Sequence, residues 1–323
     1  MKKVAIITAS RADYGIYLPV LCAIRRHPAL KLCLRAMGDP DYLNFPLPCD
    51  FKPGEEDVIL VLGDTMPMLF ATIDAVKHNI PVAHIHGGDK TGSIDNKIRY
   101  AVSAFADFHF PSLPQHADCL INMGIPFTKI KVVGPLGIYA MKDAEFIPEE
   151  KLRKQLGLTD KPVIIIIQHP IHGESDQAGQ QMRETMEAVV SISGYEPVVI
   201  YPNSETGSQD MIRVINEYPF RSFGNLSYLT FVSLLKYSSV IVGNSSCGLV
   251  EAPLFGVPCV NIGNRQRGRK SGGQIRNIDY DKDSIRLAMI MPWIGHEPHN
   301  PYLSAAIGID GTSIIANTLA EEM

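Results

Sequence analysis

The chain has 323 residues, 46% of them hydrophobic and 20% charged, with a formal net charge of −4. That composition excludes a disordered chain and suits two domains of about 150 residues each. The acidic balance argues against a nucleic-acid partner, because the one dense basic run is the loop 265–270. No apolar run approaches the roughly 18 residues that a membrane helix needs, and no small-residue cleavage site follows the first strand. Six cysteines, at 22, 33, 49, 119, 247 and 259, form no CxxC pair and sit mostly in apolar runs. They read as reduced core residues of a cytoplasmic protein without a membrane partner.

Short β-branched runs alternate with helical patterns along the chain. Strands are expected at residues 4–8, 32–37, 58–62, 82–85, 130–133, 163–168, 198–201, 240–242 and 259–262. Strands apolar on both faces and separated by helices imply parallel sheets covered on both sides. Prolines 40, 46, 48 and 53 forbid a regular crossover helix before the strand at 58. The first domain is therefore expected to be trimmed, or joined by an irregular loop on one side of its sheet. A charged, helix-prone stretch at 142–157 precedes a fresh run of strands. It divides a first domain (1–145) from a second (146–300), with a C-terminal helix (301–323) placed to pack back on the first. The expected fold class is α/β: two Rossmann-like doubly wound domains facing across a cleft, with ligand at the carboxyl ends of the strands.

The first strand empties into Thr8-Ala9-Ser10-Arg11, where the Arg11 guanidinium can hold phosphate in a bidentate way or stand as a solvated loop arginine. Asp64, in Leu62-Gly63-Asp64-Thr65, either points into the cleft or caps the next helix. His84-Ile85-His86-Gly87-Gly88-Asp89 and then Asp95 gather two imidazoles and two carboxylates within twelve residues. Strand alternation puts His84 and His86 on one face. A metal site lacks a third ligand at familiar spacing, so paired acid and base residues fit better. In the second domain, Gln168-His169-Pro170 follows a central strand and offers His169 to the cleft, or keeps it as a structural histidine.

Residues 241–269 carry the most information. The strand at 240–242 runs into Gly243-Asn244-Ser245-Ser246, and a helix is expected through Leu249, Glu251 and Ala252 to Gly256. A second strand then opens into a loop holding Arg265, Arg267 and Arg269. A helix N-terminus with small hydroxyl residues, followed by arginines, makes a diphosphate site, and Glu251 is placed to accept from the two hydroxyls of a ribose. The plainer alternative is a helix cap beside a flexible basic loop.

With these segments laid out, the chain resembles the UDP-N-acetylglucosamine 2-epimerase family, and most of all the hydrolysing branch that feeds sialic acid synthesis. The resemblance covers nearly everything except residues 38–56. It is carried by SRADYG (10–15), LGDT (62–65), HIHGGDKTGSIDNKIR (84–99), QHP (168–170), GNSSCGLVEAPLFGVPCVNIG (243–263) and RQRGR (265–269). It implies the GT-B arrangement of two Rossmann-like domains. Asp64 and Asp95 match the family's catalytic carboxylates, and His169 its histidine acting on the leaving diphosphate. Arg11, Ser245, Ser246 and Glu251 match residues that hold the UDP phosphates and ribose, with Arg265 lining the same pocket. The chain departs from the family at His86, where some hydrolysing members have Glu, and at Asn96 and Tyr100. Asp89 supplies the acid after the Gly-Gly pair.

The implied reaction converts UDP-N-acetylglucosamine to N-acetylmannosamine and UDP, by elimination to a glycal and addition of water, without cofactor or metal. Asp64, Asp89 and Asp95 share the proton work in no assigned order, with His86 as a base in place of a missing carboxylate. The family also implies a homodimer or homotetramer. The other readings are a nonhydrolysing epimerase, a related enzyme on another nucleotide-linked N-acetyl sugar, a GT-B glycosyltransferase, and a noncatalytic nucleotide-sugar-binding protein.

Overall fold

A computed structural model describes residues 1–9, 11–37, 54–142, 144–272, 274–293, 300–305 and 307–323, without the side chains of residues 11 and 12. Most of the proline-rich connection, residues 38–53, lies outside the described residues. The chain divides into two compact units. One comprises Met1–Lys90, Ile94–Asp143 and Tyr302–Met323, and the other Thr91–Ser93 and Ala144–Pro301.

The first unit is built on β1 (Lys2–Thr8), β2 (Leu30–Ala36), β3 (Val58–Leu62), β4 (Val82–Ile85) and β5 (Phe108–Phe110), all parallel, in the order β2-β1-β3-β4-β5. Alternation along the strands feeds two cores. Val4, Ile6 and Leu60 pack on the helices Arg11–Arg26 and Gly311–Glu321, through Tyr17, Ile24, Ile315 and Leu319. Ala5, Ile7, Ile59 and Val61 turn to the other face and pack with Met68, Ala71, Ile98 and Val102 of the helices Met66–Lys77 and Asp95–Phe105. Both faces are covered, which is why these strands read as continuous apolar runs.

The second unit holds β6 (Val163–Ile167), β7 (Glu196–Ile200), β8 (Arg221–Phe223), β9 (Ser238–Gly243), β10 (Cys259–Ile262) and β11 (Ile275–Ile278). They too are parallel, in the order β11-β10-β9-β6-β7-β8. Numbered within the unit this is the 3-2-1-4-5-6 order of a dinucleotide-binding sheet. The first unit has the 2-1-3-4-5 order of the flavodoxin type. Each order reverses once, and at that switch point the strand exits leave a crevice. In the second unit the reversal falls between β6 and β9.

Several expectations are corrected. Residues 130–133 do not form a strand: Ile130 makes a single bridge to His109, and β5 is the edge strand. The strands β5, β8 and β11 escaped the pattern because they are three or four residues long, and β8 and β11 carry polar side chains at sheet edges. The helix expected to open directly after Ser246 and to end at Gly256 is one α-turn, Cys247–Val250, followed by a 3₁₀ turn, Ala252–Phe255. Pro253 lacks the N–H an α-helix needs there. Cys33 is disulfide-bonded, against the reading of six reduced thiols, because missing CxxC spacing speaks only of local pairs. Cys22, Cys119, Cys247 and Cys259 are free.

Candidate active site

In the first unit the strand exits meet on one buried arginine. Arg99 is 1% exposed and lies one helical turn after Asp95, the first residue of its helix. Its Nη2 forms an ion pair with the Asp64 carboxylate at the exit of β3, and its Nη1 donates to the Asp89 carbonyl at 3.0 Å. Asp64 is thereby engaged by a charge and does not cap the following helix, whose N-cap is Thr65. Asp89 is 5% exposed. Its Oδ1 accepts from the Lys90 N–H at 2.8 Å and lies 3.3 Å from His116 Nε2. Gly88 lets this loop approach the helix Pro114–Asn122: it sits at φ +79°, and an added Cβ would lie 2.1 Å from the His116 carbonyl oxygen. Asp95, at the N-terminus of its helix, complements the helix dipole and lies at i, i+4 spacing to Arg99, on the same face.

The two histidines of the β4 exit differ in kind. His84 is fully buried; its Nε2 donates to the Gly63 carbonyl at 2.8 Å, and its Nδ1 accepts from Ser103 Oγ at 3.0 Å. Burial lowers its pKa to about 3, against the pull of the Gly63 carbonyl. It is a neutral structural residue. His86 lies beyond the strand at φ +63° and donates its N–H to the Phe110 carbonyl at 3.1 Å. A left-handed backbone breaks the strand alternation, so the shared face expected for His84 and His86 does not exist. A non-glycine residue held at positive φ is strained, and such strain gathers at functional sites. Among the described residues no group of three or more His, Cys, Asp or Glu is placed to hold a metal.

In the second unit the residues gather on Asn244, at the switch point. Gly243 ends β9 at φ +133°, where a Cβ would lie 2.0 Å from the Ile167 carbonyl oxygen of β6, so only glycine fits. Asn244 is fully buried. Its Oδ1 accepts from the His169 N–H at 2.7 Å and its Nδ2 donates to the His169 carbonyl at 2.8 Å. Its own carbonyl accepts from Gln266 Nε2 at 2.9 Å and from Arg265 Nη1 at 3.5 Å. Arg269 Nε donates to Gln266 Oε1 at 2.8 Å, which draws a second arginine to the same turn. Arg265 also lies 3.9 Å from the Glu205 carboxylate.

His169 Nδ1 accepts from the Asn203 N–H at 3.1 Å, so the proton of the neutral ring sits on Nε2. Burial first, and then the Arg265 charge, lower its pKa to about 3, which leaves a neutral N–H donor. Ser246 takes the N-cap position of Cys247–Val250 without a side-chain cap bond, and Ser245 Oγ accepts from Cys247 Sγ at 3.2 Å. Glu251 Oε2 is buried with no hydrogen-bond partner among the described residues. Burial raises the Glu251 pKa to about 7, with Arg269 opposing. Arg11 opens the helix Arg11–Arg26, and its side chain is outside the description.

Sequence reasoning thus named Asp64, Asp89 and Asp95, and Arg99 relates to all three. It quoted Arg99 and Gln266 in motifs without giving either a role, and passed over His116. The buried arginine was the available signal, since Arg is almost never fully buried unless paired. Nothing local marks His116.

These constellations define a two-unit α/β protein with its polar groups at the carboxyl ends of parallel strands, where such sheets bind ligands. The chain belongs to the UDP-N-acetylglucosamine 2-epimerase family, whose model matches residues 51–292. It is 28% identical to the hydrolysing UDP-N,N'-diacetylbacillosamine 2-epimerase of Legionella pneumophila, over 88% of this chain and 87% of that one. It is also 28% identical to a UDP-N-acetylglucosamine 2-epimerase of Neisseria meningitidis serogroup B, over 88% and 86%. Among solved structures, the Neisseria meningitidis UDP-GlcNAc 2-epimerase bound to UDP-GlcNAc shares the fold at a TM-score of 0.78 and 19% identity, over the whole of both chains. The Methanocaldococcus jannaschii enzyme in complex with UDP-GlcNAc and UDP does so at 0.75 and 17%, over 98% of this chain and 99% of that one.

Proposed function

We propose that the chain is a hydrolysing 2-epimerase that converts UDP-N-acetylglucosamine and water to N-acetylmannosamine and UDP. The observation that carries this reading is the Asp64–Arg99–Asp89 linkage, two acid–base candidates drawn onto one buried cation. The C2 proton of the sugar is not acidic by itself, so its loss must accompany departure of the diphosphate from C1. A carboxylate takes that proton, the C1–O bond breaks, and a glycal forms. Water then adds at C1 while a proton returns to the opposite face of C2. Each acid–base step of this kind contributes about 10²–10⁴-fold.

Asp64, Asp89 and Asp95 are the groups for those steps. The charge developing on the diphosphate is met by Arg265, Arg269, Arg11, the backbone N–H groups of Ser245 and Ser246, and the neutral Nε2–H of His169. The Glu251 carboxylate, whose Oε2 has no hydrogen-bond partner among the described residues, suits the ribose hydroxyls. A homodimer or homotetramer is supported by an apolar stripe on the helix Met66–Lys77, where Met66, Phe70, Ile73 and Val76 are exposed.

A second reading, the same chemistry on a UDP-linked diacetylated sugar, is favoured by the equal identity to the Legionella relative. Proton NMR in D₂O separates the readings. Free N-acetylmannosamine deuterated at C2, with equimolar UDP, is the expected product. Deuterated UDP-N-acetylmannosamine without free sugar means a nonhydrolysing enzyme. Turnover of the diacetylated sugar nucleotide alone means the second reading.

A further inference from the structure

Resting on that reading, we propose that Gly92 is a positioning residue for Asp95. It fastens the chain that leads into Asp95 to the backbone of the arginine loop, so that a bound diphosphate steadies a group of the proton chemistry. Gly92 lies three residues after Asp89 and three before Asp95. The strap Thr91–Ser93 belongs to the second unit, while the chain on either side of it belongs to the first. Within the second unit the Gly92 N–H donates to the Arg265 carbonyl at 3.0 Å. A Cβ on Gly92 would lie 2.1 Å from the Asn264 carbonyl oxygen and 3.0 Å from Arg267 Cβ. Strap and loop therefore meet backbone to backbone, and only glycine allows that approach.

Of the two partners, the arginine loop is the fixed one. Gln266 is 4% exposed and donates to the Asn244 carbonyl at 2.9 Å. The Arg267 N–H donates to the Asn264 carbonyl at 2.9 Å, and the Arg269 N–H to the Gln266 carbonyl at 3.0 Å. Gly92 itself is exposed, so a methyl placed there moves the strap and leaves the loop where it is. The helix Asp95–Phe105 transmits that movement, because its N-cap, Ile94, makes no side-chain cap bond. Without a cap of its own, the first turn is set by the chain entering it. Making room for the methyl shifts the strap by about 1 Å, and a reacting group misplaced by that much loses about 10²-fold in rate.

The test compares wild type and Gly92→Ala in kcat, KM and C2 deuterium uptake, with UDP affinity by calorimetry. The expected result for Gly92→Ala is a kcat loss of about 10²-fold, an equal loss of deuterium uptake, and unchanged KM and UDP affinity. Hydrogen exchange of the amides from Gly92 to Asp95 supplies a second readout that needs no variant. Saturating UDP should slow that exchange in wild type and should leave it unchanged in Gly92→Ala. A Gly92→Ala variant with wild-type kcat overturns the positioning role and leaves the proposed function standing. So does one that loses UDP affinity in step with kcat, because Gly92 would then only shape the phosphate site. Exchange in wild type that UDP does not alter overturns the role as well. A wild-type protein that binds UDP but puts no deuterium into UDP-N-acetylglucosamine or its products overturns the function, and the role of Gly92 with it.

Discussion

Asn244 grips His169 by both of its backbone polar groups, accepting from the N–H at 2.7 Å and donating to the carbonyl at 2.8 Å. The Asn244 N–H donates in turn to the Ile167 carbonyl at 3.1 Å. One buried amide therefore locks the exits of β6 and β9 together, and through Gln266 it reaches the arginine loop. Asn244→Ala orphans two buried backbone groups, each costing about 1–3 kcal/mol. The second unit should unfold at correspondingly lower urea, followed by fluorescence of Trp293, the chain's one tryptophan. Asn244→Asp should be worse at neutral pH than at pH 4, because only the protonated acid can donate to the His169 carbonyl.

Asp64 neutralises an arginine that has almost no access to water. Asp64→Ala leaves that charge buried, and breaking such a pair typically costs about 3–5 kcal/mol. Asp64→Ala with Arg99→Met should recover much of the stability, because replacing both partners removes the unpaired charge. Both variants should lose turnover. Urea denaturation with activity on the same preparations separates the two effects, and a single variant as stable as wild type would remove Arg99 from the network's energetics.

Acid should unfold this protein through its histidines. His84, His109 and His169 have pKa values lowered to about 3, 4 and 3, each mainly by burial. The unfolded chain takes up these protons near pH 6.5, whereas the folded chain resists until about pH 3–4. Stability is therefore complete above pH 6.5 and falls as pH falls through that window, by about 1.4 kcal/mol per pH unit for each group. Two of the three lie in the first unit. Hydrogen exchange of the β1–β4 amides between pH 6 and 4 should show the combined slope, and His84→Gln should remove about one third to one half of it.

Glu251 makes nucleotide affinity depend on pH in the opposite sense to a typical surface carboxylate's indifference at neutrality. With its pKa raised to about 7, the group is half protonated there, and hydroxyl donors favour the charged form. UDP should bind more tightly as pH rises through 7, with proton release seen as a buffer-dependent calorimetric heat. Glu251→Gln should flatten that dependence while the phosphate contacts remain. An unchanged dependence in Gln would assign it to the phosphate.

What the sequence determined by itself is local. Runs such as Val163–Ile167 are apolar at every position, so they had to become strands covered on both faces, and two series of them had to become two parallel sheets. Gly243 could be recognised as a turn glycine because it follows a strand directly. Pro253 was equally visible, yet its effect, splitting the expected helix, depends on where the strand exit starts that helix. Tertiary structure decided the pairings: Arg99 with Asp64 across 35 residues of chain, His116 with Asp89 across 27, and Asn244 with His169 across 75. It also separated His84 from His86, through a left-handed backbone at one of them. These partners are chosen by which strand exits the sheet order brings side by side, and by the cost of leaving a buried charge or amide unpaired. Neither quantity is carried by neighbouring residues.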